Sequence, residues 1–158
     1  MAPRTWRCRK GVAIVEFALI LPLFFILMAA IIDFGILFFV QHTLQFATRE
    51  GARLGLVGRT LTDANGNPIG REASIIEAIQ NNASIAVPPG ALEISIFPIN
   101  ADFTDPVGWE GMQDAGAPGQ YMRVRTRYDF PVPLISAFVT QAHLSMYAQS
   151  TYRNEQFN

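Results

Sequence analysis

From Val12 to Val40 apolar side chains follow one another, interrupted by only two ionisable residues, Glu16 and Asp33. A helix of about 29 residues is about 43 Å long, whereas bilayer hydrocarbon is about 30 Å thick. The run therefore predicts one membrane-spanning helix that tilts or emerges at one end. Pro22 removes the bond to the Ala18 carbonyl and predicts a kink there, which bundled neighbours tolerate. After Val40 the pattern changes. Leu44, Ala47, Gly51 and Leu54 recur at spacings of three and four, with Arg49, Glu50 and Arg53 elsewhere, so the helix continues beyond the membrane as an amphipathic rod through Val57. Gly51 and Gly55 have the spacing of close helix packing and predict a rod lying tightly on a sheet. Gly58 is a natural stop.

The remaining chain alternates like an ordinary small domain. Arg71 to Ser84 predicts a second helix, with Ile75, Ile76, Ile79 and Ala83 on one side. Leu92–Phe97 and Tyr121–Phe130 alternate at the period of strands, the latter with Met122, Val124, Thr126 and Tyr128 on one face. Leu144–Tyr152 alternates more weakly. Between the first two strands lies a long Gly, Pro and Asp-rich loop, 100–120, containing Trp109. Such a loop is functional or mobile, and its tryptophan either projects as a contact or folds back onto the sheet. The fold class is α+β: a long N-terminal transmembrane helix, a second short helix and a small antiparallel sheet of about three strands. The segments are a basic leader (1–11), the spanning helix with its extension (12–58) and a small extracytoplasmic α+β domain (59–158).

Charge orients the span. Arg4, Arg7, Arg9 and Lys10 crowd the side before it and no comparable cluster follows, which keeps the N-terminus cytoplasmic and exports the rest. A cleaved secretory signal has an apolar core of about 7–15 residues, shorter than this run. The net charge of −1 lacks the basic excess of a nucleic-acid binder. Cys8 is the sole cysteine, which excludes an intramolecular disulfide and a cysteine metal site. Asp63, Asn65 and Asn67 alternate as in a calcium loop, but Pro68 stands where Gly is required and Ser74 where the bidentate Glu is required. His42 and His143 have no nucleophile motif around them, and no phosphate loop is present. Catalysis, metals and cofactors therefore find no support.

Glu16 is the unusual residue. A charge carried deep into a membrane costs roughly 2.5–3.5 kcal/mol, so it either rests in the hydrated headgroup zone near the positive end of the helix dipole or has a partner. Its surroundings, Arg9-Lys10-Gly11-Val12-Ala13-Ile14-Val15-Glu16-Phe17, resemble a prepilin processing site: a basic leader, Gly, four apolar residues, Glu and an aromatic. The resemblance implies cleavage between Gly11 and Val12 by a prepilin peptidase on the cytoplasmic face, with Glu16 and Phe17 near the new N-terminus. The blocks Glu16-Phe17-Ala18-Leu19-Ile20-Leu21-Pro22, Ile32-Asp33-Phe34-Gly35 and Ala47-Thr48-Arg49-Glu50-Gly51-Ala52-Arg53 are similar to those of TadE-like minor pilins (pseudopilins) of the tight-adherence pilus. That family often has a basic residue after Asp-Phe-Gly, where Ile36 stands here. The resemblance covers residues 11–58 and implies a pilin-like fold without enzymatic activity. It also implies an inner-membrane location with entry into the pilus, and as partners the peptidase, other pilin subunits, the assembly platform and the bilayer.

Asp33 lies about 26 Å along the axis from Glu16 and about 100° around it, too far to share a partner within one helix. It is an interfacial residue of the outer leaflet or, with Gly51 and Gly55, a helix–helix contact. A rival reading of a different class is an unprocessed, signal-anchored binding module that recognises its target through the loop around Trp109.

Overall fold

The computed structural model describes residues 10–134 and 143–156. Of the basic leader, residues 1–9 lie outside them. Helix α1 spans Lys10–Leu56 without interruption at Pro22, so the apolar span and its amphipathic extension are one rod. Gly58, at φ 65°, ends the turn that follows, and its amide bonds the Gly55 carbonyl at 3.1 Å, the expected way for a helix to close its last carbonyls.

Helix α2 spans Arg71–Ala83, and strands β1 (Glu93–Pro98), β2 (Tyr121–Pro131) and β3 (His143–Arg153) follow. The three strands form one antiparallel sheet in the order β1-β2-β3. In register, Ile96 faces Val124, and Val124 faces Ser150. The period of two sends Met122, Val124, Thr126, Tyr128 and Phe130 of β2 inward. They meet Val40, Leu44, Ala47 and Ala52 of α1 and Ile75, Ile79 and Ala83 of α2 in one core. Each fully buried isoleucine of this kind is worth roughly 1.5–3 kcal/mol. Leu54, counted on the inward face by its spacing, is only half buried; Ala52 takes the buried place.

Tertiary packing changes the role expected of the two glycines. They face α2 as much as the sheet. A methyl group on Gly51 would stand 2.3 Å from Ile79 Cγ1 and 3.0 Å from the Ile75 carbonyl. One on Gly55 would meet Ile75 Cδ1 at 2.5 Å and Met122 Cε at 3.0 Å. Arg71, at the start of α2, then ties the corner: its Nε donates to the Gly55 carbonyl at 3.0 Å and its Nη1 to the Gly116 carbonyl at 2.8 Å.

The long loop is packed rather than loose. Ile96 donates its amide to the Met112 carbonyl at 2.7 Å and accepts from the Asp114 amide at 2.8 Å, so the loop extends the free edge of β1. It also folds over the outward face of the sheet, which explains why Phe97, on the face opposite Ile96, is fully buried.

Candidate functional site

The site that the sequence singles out lies at the free end of α1. From Gly11 to Ile20 every residue of the helix is exposed. Phe17 is 64% and Leu19 74% accessible, so the apolar surface runs around the whole circumference, as it does on a helix meant for lipid or for other helices. Glu16 is the sole ionisable group on this stretch and is exposed too. Among the described residues no hydrogen bond or ion pair reaches its carboxylate. Gly11 and Val12 likewise stand clear of the folded domain, and a methyl group on Gly11 would meet nothing within 4 Å. The peptide between them is exposed. The domain gathers at the other end of the rod.

Asp33 is different. It is 2% exposed and accepts a hydrogen bond from the Leu134 amide at 3.2 Å. Leu134 belongs to the chain leaving β2, so this contact is with a turn of its own domain, while Gly51 and Gly55 make their close approach to α2. The one signal of this in the sequence is a second carboxylate inside an apolar run.

A buried polar contact that the spacing did not single out joins α1 to the sheet. The Thr48 hydroxyl bonds the Leu44 carbonyl at 2.7 Å and pairs with the Thr126 hydroxyl at 2.8 Å. Both threonines are fully buried, so the pair satisfies two polar groups that would otherwise be costly.

The outward face of the sheet carries Arg123, Arg125 and Arg127, alternate residues of β2. Asp105 from the long loop bonds both Arg123 and Arg125. Trp109 is held between Phe97, with ring centroids 5.2 Å apart, and the Arg125 guanidinium, 4.2 Å from its ring. It is folded back and half buried, rather than projecting. Beside it lies a concavity of about 610 Å³ bordered by Glu93, Trp109, Glu110, Arg127, Tyr147 and Gln149. Below it, the Ser145 hydroxyl, bonded at 2.6 Å, and the neighbouring Arg127 hold the Asp129 carboxyl beneath its usual range.

Among the described residues no group of three or more His, Cys, Asp and Glu side chains is placed to hold a metal. Asp63, the first position of the calcium-like loop, spends its carboxylate on its own backbone: Oδ1 accepts the Asn65 and Asn67 amides at 2.8 Å each, which lowers its pKa. His42 and His143 are exposed and stand on different elements.

Comparison with protein families matches residues 11–53 to the model described as TadE-like protein. Comparison with curated proteins and with solved structures gives no match. The matched stretch contains Gly11, Val12, Glu16, Phe17, Asp33 and Gly51, and it is the rod that carries both the free apolar end and the first packed turns. Over that segment, somewhat more than a quarter of its length, the chain is similar to the TadE-like family.

Proposed function

We propose that this chain is a minor pilin or pseudopilin of the tight-adherence pilus, made as a precursor and cut between Gly11 and Val12 by a prepilin peptidase at the cytoplasmic face of the inner membrane. The exported domain stays on the far side. The mature helix leaves the bilayer by packing beside the helices of other subunits at the assembly platform.

The observation that carries this reading is the shape of α1: one end buried in its own domain, the other a bare apolar rod with a single carboxylate one turn in. A rod that served only as an anchor has no use for Glu16. Cleavage gives Val12 an α-amine with a pKa near 7.7–8.0, largely protonated at neutral pH. In a helix bundle of low dielectric, that ammonium and the Glu16 carboxylate of an adjacent subunit neutralise one another. The pair sets the axial register between neighbours, while Phe17 and the surrounding aliphatic residues supply the lateral contact. Gly11, without a Cβ, lets the protease approach the backbone closely. The anchored-module reading drew on a projecting Trp109, and that side chain is engaged by Phe97 and Arg125.

The test is the N-terminal residue of the protein made in its own host. Val12 is expected. An intact Met1 overturns the proposal in favour of an anchored module, and a start near Ile31 would mean a secreted domain. Gly11→Leu is expected to leave the precursor uncut. Glu16→Val is expected to enter the membrane normally and to assemble poorly; normal assembly would remove the charge-pairing role.

A further inference from the structure

The apolar surface of α1 does not stop where the folded domain begins. Asp33 and Leu37 already pack against the domain, yet Phe34, Phe38 and Phe39 on the same turns are 57%, 59% and 51% exposed. The domain presents its own apolar side chains beside them. Leu134, just past β2, is 36% exposed, and Leu144, at the start of β3, is 46% exposed.

Three contacts along the rod fix which end of the domain this is. Asp33 meets Leu134, the Gln41 side chain donates to the Tyr147 carbonyl at 3.0 Å, and the Leu56 carbonyl accepts from the Glu155 amide at 3.0 Å. Strand β3 therefore climbs α1 from the span outward. The end of the β2–β3 pair, where Pro131 faces His143, is the part of the domain nearest the bilayer.

Length decides what covers this end. Fitting an apolar helix of about 43 Å into about 30 Å of hydrocarbon by tilt alone needs about 45°, beyond the 0–40° that spanning helices adopt. Placing the whole excess outward would leave Glu16, four residues after Val12, about 6 Å inside the hydrocarbon, so the inner boundary falls just beyond Glu16, which then rests in the headgroup zone. Counted from Phe17, about 30 Å of hydrocarbon takes about 20 residues and ends near Ile36, so the outer boundary lies level with Phe34, Phe38 and Phe39. At that level Asp33 is enclosed by the protein and bonded to a backbone amide, so the charge faces inward while Phe34, Phe38, Phe39, Leu134 and Leu144 face out.

We propose that, in the membrane-resident protein, the base of the exported domain is seated in the outer leaflet, with lipid covering Phe34, Phe38, Phe39, Leu134 and Leu144. Interfacial elements lie about 5–10 Å deep at the headgroup boundary, and Asp33, bonded to Leu134, lies three residues or about 5 Å inside the boundary near Ile36. The domain is then held in one orientation on the membrane rather than swinging on a stalk. Asp33 is the device that permits this, because its bond to Leu134 keeps a charge from facing lipid. The inference rests on the span and on the orientation proposed for it, and stands whether or not Gly11 is cleaved.

Depth-dependent quenching tests it on the full chain in phosphatidylcholine nanodiscs. In a Cys8→Ser background, Leu134→Cys and Leu144→Cys are each labelled with an environment-sensitive fluorophore, and Val107→Cys, at a position fully open to solvent, serves as control. The labels at 134 and 144 are expected to emit to the blue of the control, to be quenched by spin-labelled lipid, and to resist aqueous iodide. The control should show the reverse. Iodide quenching at 134 and 144 equal to that at 107 would mean a domain clear of the bilayer and would overturn the proposal. Protection from both quenchers would mean that a second protein copy covers the surface, and would overturn it equally. Should Leu134→Cys fold badly, as judged by Trp109 emission in a Trp6→Phe chain, Leu144→Cys carries the test alone.

Discussion

Gly51→Ala puts a methyl group at the tightest position among the described glycines, and its cost can be worked out from what it meets. The new Cβ would stand 2.3 Å from Ile79 Cγ1 and 3.0 Å from the Ile75 carbonyl. Neither neighbour is the far end of a flexible chain. Cγ1 of a β-branched residue moves only with its χ1 rotamer, which a helix largely fixes, and the carbonyl moves only with α2 itself. Restoring ordinary contact requires α2 to shift by more than about 1 Å, which places the strain at the upper end of the roughly 1–3 kcal/mol typical of overpacking. Alanine recovers up to about 1 kcal/mol of helix propensity over glycine, leaving a net loss of about 2 kcal/mol. At about 4–8 °C per kcal/mol for a domain of 60–100 residues, the melting temperature should fall by about 8–16 °C. Gly55→Ala is the internal comparison. Its nearest neighbour, Ile75 Cδ1, and Met122 Cε are chain ends that can swing aside, and Ile75 Cγ1 at 3.0 Å is less crowded than Ile79 Cγ1 is at Gly51, so its loss should be the smaller, about 1 kcal/mol. Gly35→Ala meets nothing within 4 Å and should leave the domain unchanged. The assay is thermal unfolding of the detergent-solubilised full chain, followed by Trp109 emission in a Trp6→Phe background. A Gly51→Ala protein as stable as its parent, or less perturbed than Gly55→Ala, would refute the close packing of α1 on α2.

Two further expectations concern the same domain. Thr48→Val or Thr126→Val alone strands the other buried hydroxyl and should cost about 1–3 kcal/mol, whereas the double variant should cost clearly less than the sum, a coupling that a double-mutant cycle in urea reads directly. Acid should weaken the fold: Asp63 and Asp129 have pKa values held below the ordinary range by hydrogen bonds, the first chiefly from the Asn67 amide and the second chiefly from the Ser145 hydroxyl. Because the folded pKa is the lower one, the stability they contribute is complete above the unfolded value near 3.9 and is lost as pH falls through the folded values. Urea midpoints that hold constant from pH 5 to below pH 3 would contradict this.

Much of this protein is legible along the chain because its elements are written in local periods. An unbroken apolar run, then a period of three and four from Leu44 to Gly51, specifies a helix that leaves the membrane without ending, and α1 is one rod from Lys10 to Leu56. The alternation of Met122, Val124, Thr126 and Tyr128 likewise specifies the buried face of β2. Gly11, Val12, Glu16 and Phe17 could be singled out for the same reason: their significance lies in spacing along one helix, and tertiary structure adds only that they stand clear of the domain. What each face meets is another matter. The spacing of Gly51 and Gly55 announces a close approach but not whether the visitor is sheet or helix, and α2 arrives there only because the turn after Gly58 returns it. Thr48 reads as an ordinary helix residue until β2 brings Thr126 to 2.8 Å. Asp33 reads as a lone charge until the chain leaving β2 offers the Leu134 amide. Phe97 sits on the face that alternation assigns to solvent, and it is buried because a loop without period folds over it and slips Trp109 between Phe97 and Arg125. Periodicity acts within a few residues, whereas these contacts join positions far apart in sequence whose meeting depends on how each loop closes, and closure carries no repeating signal for the chain to display.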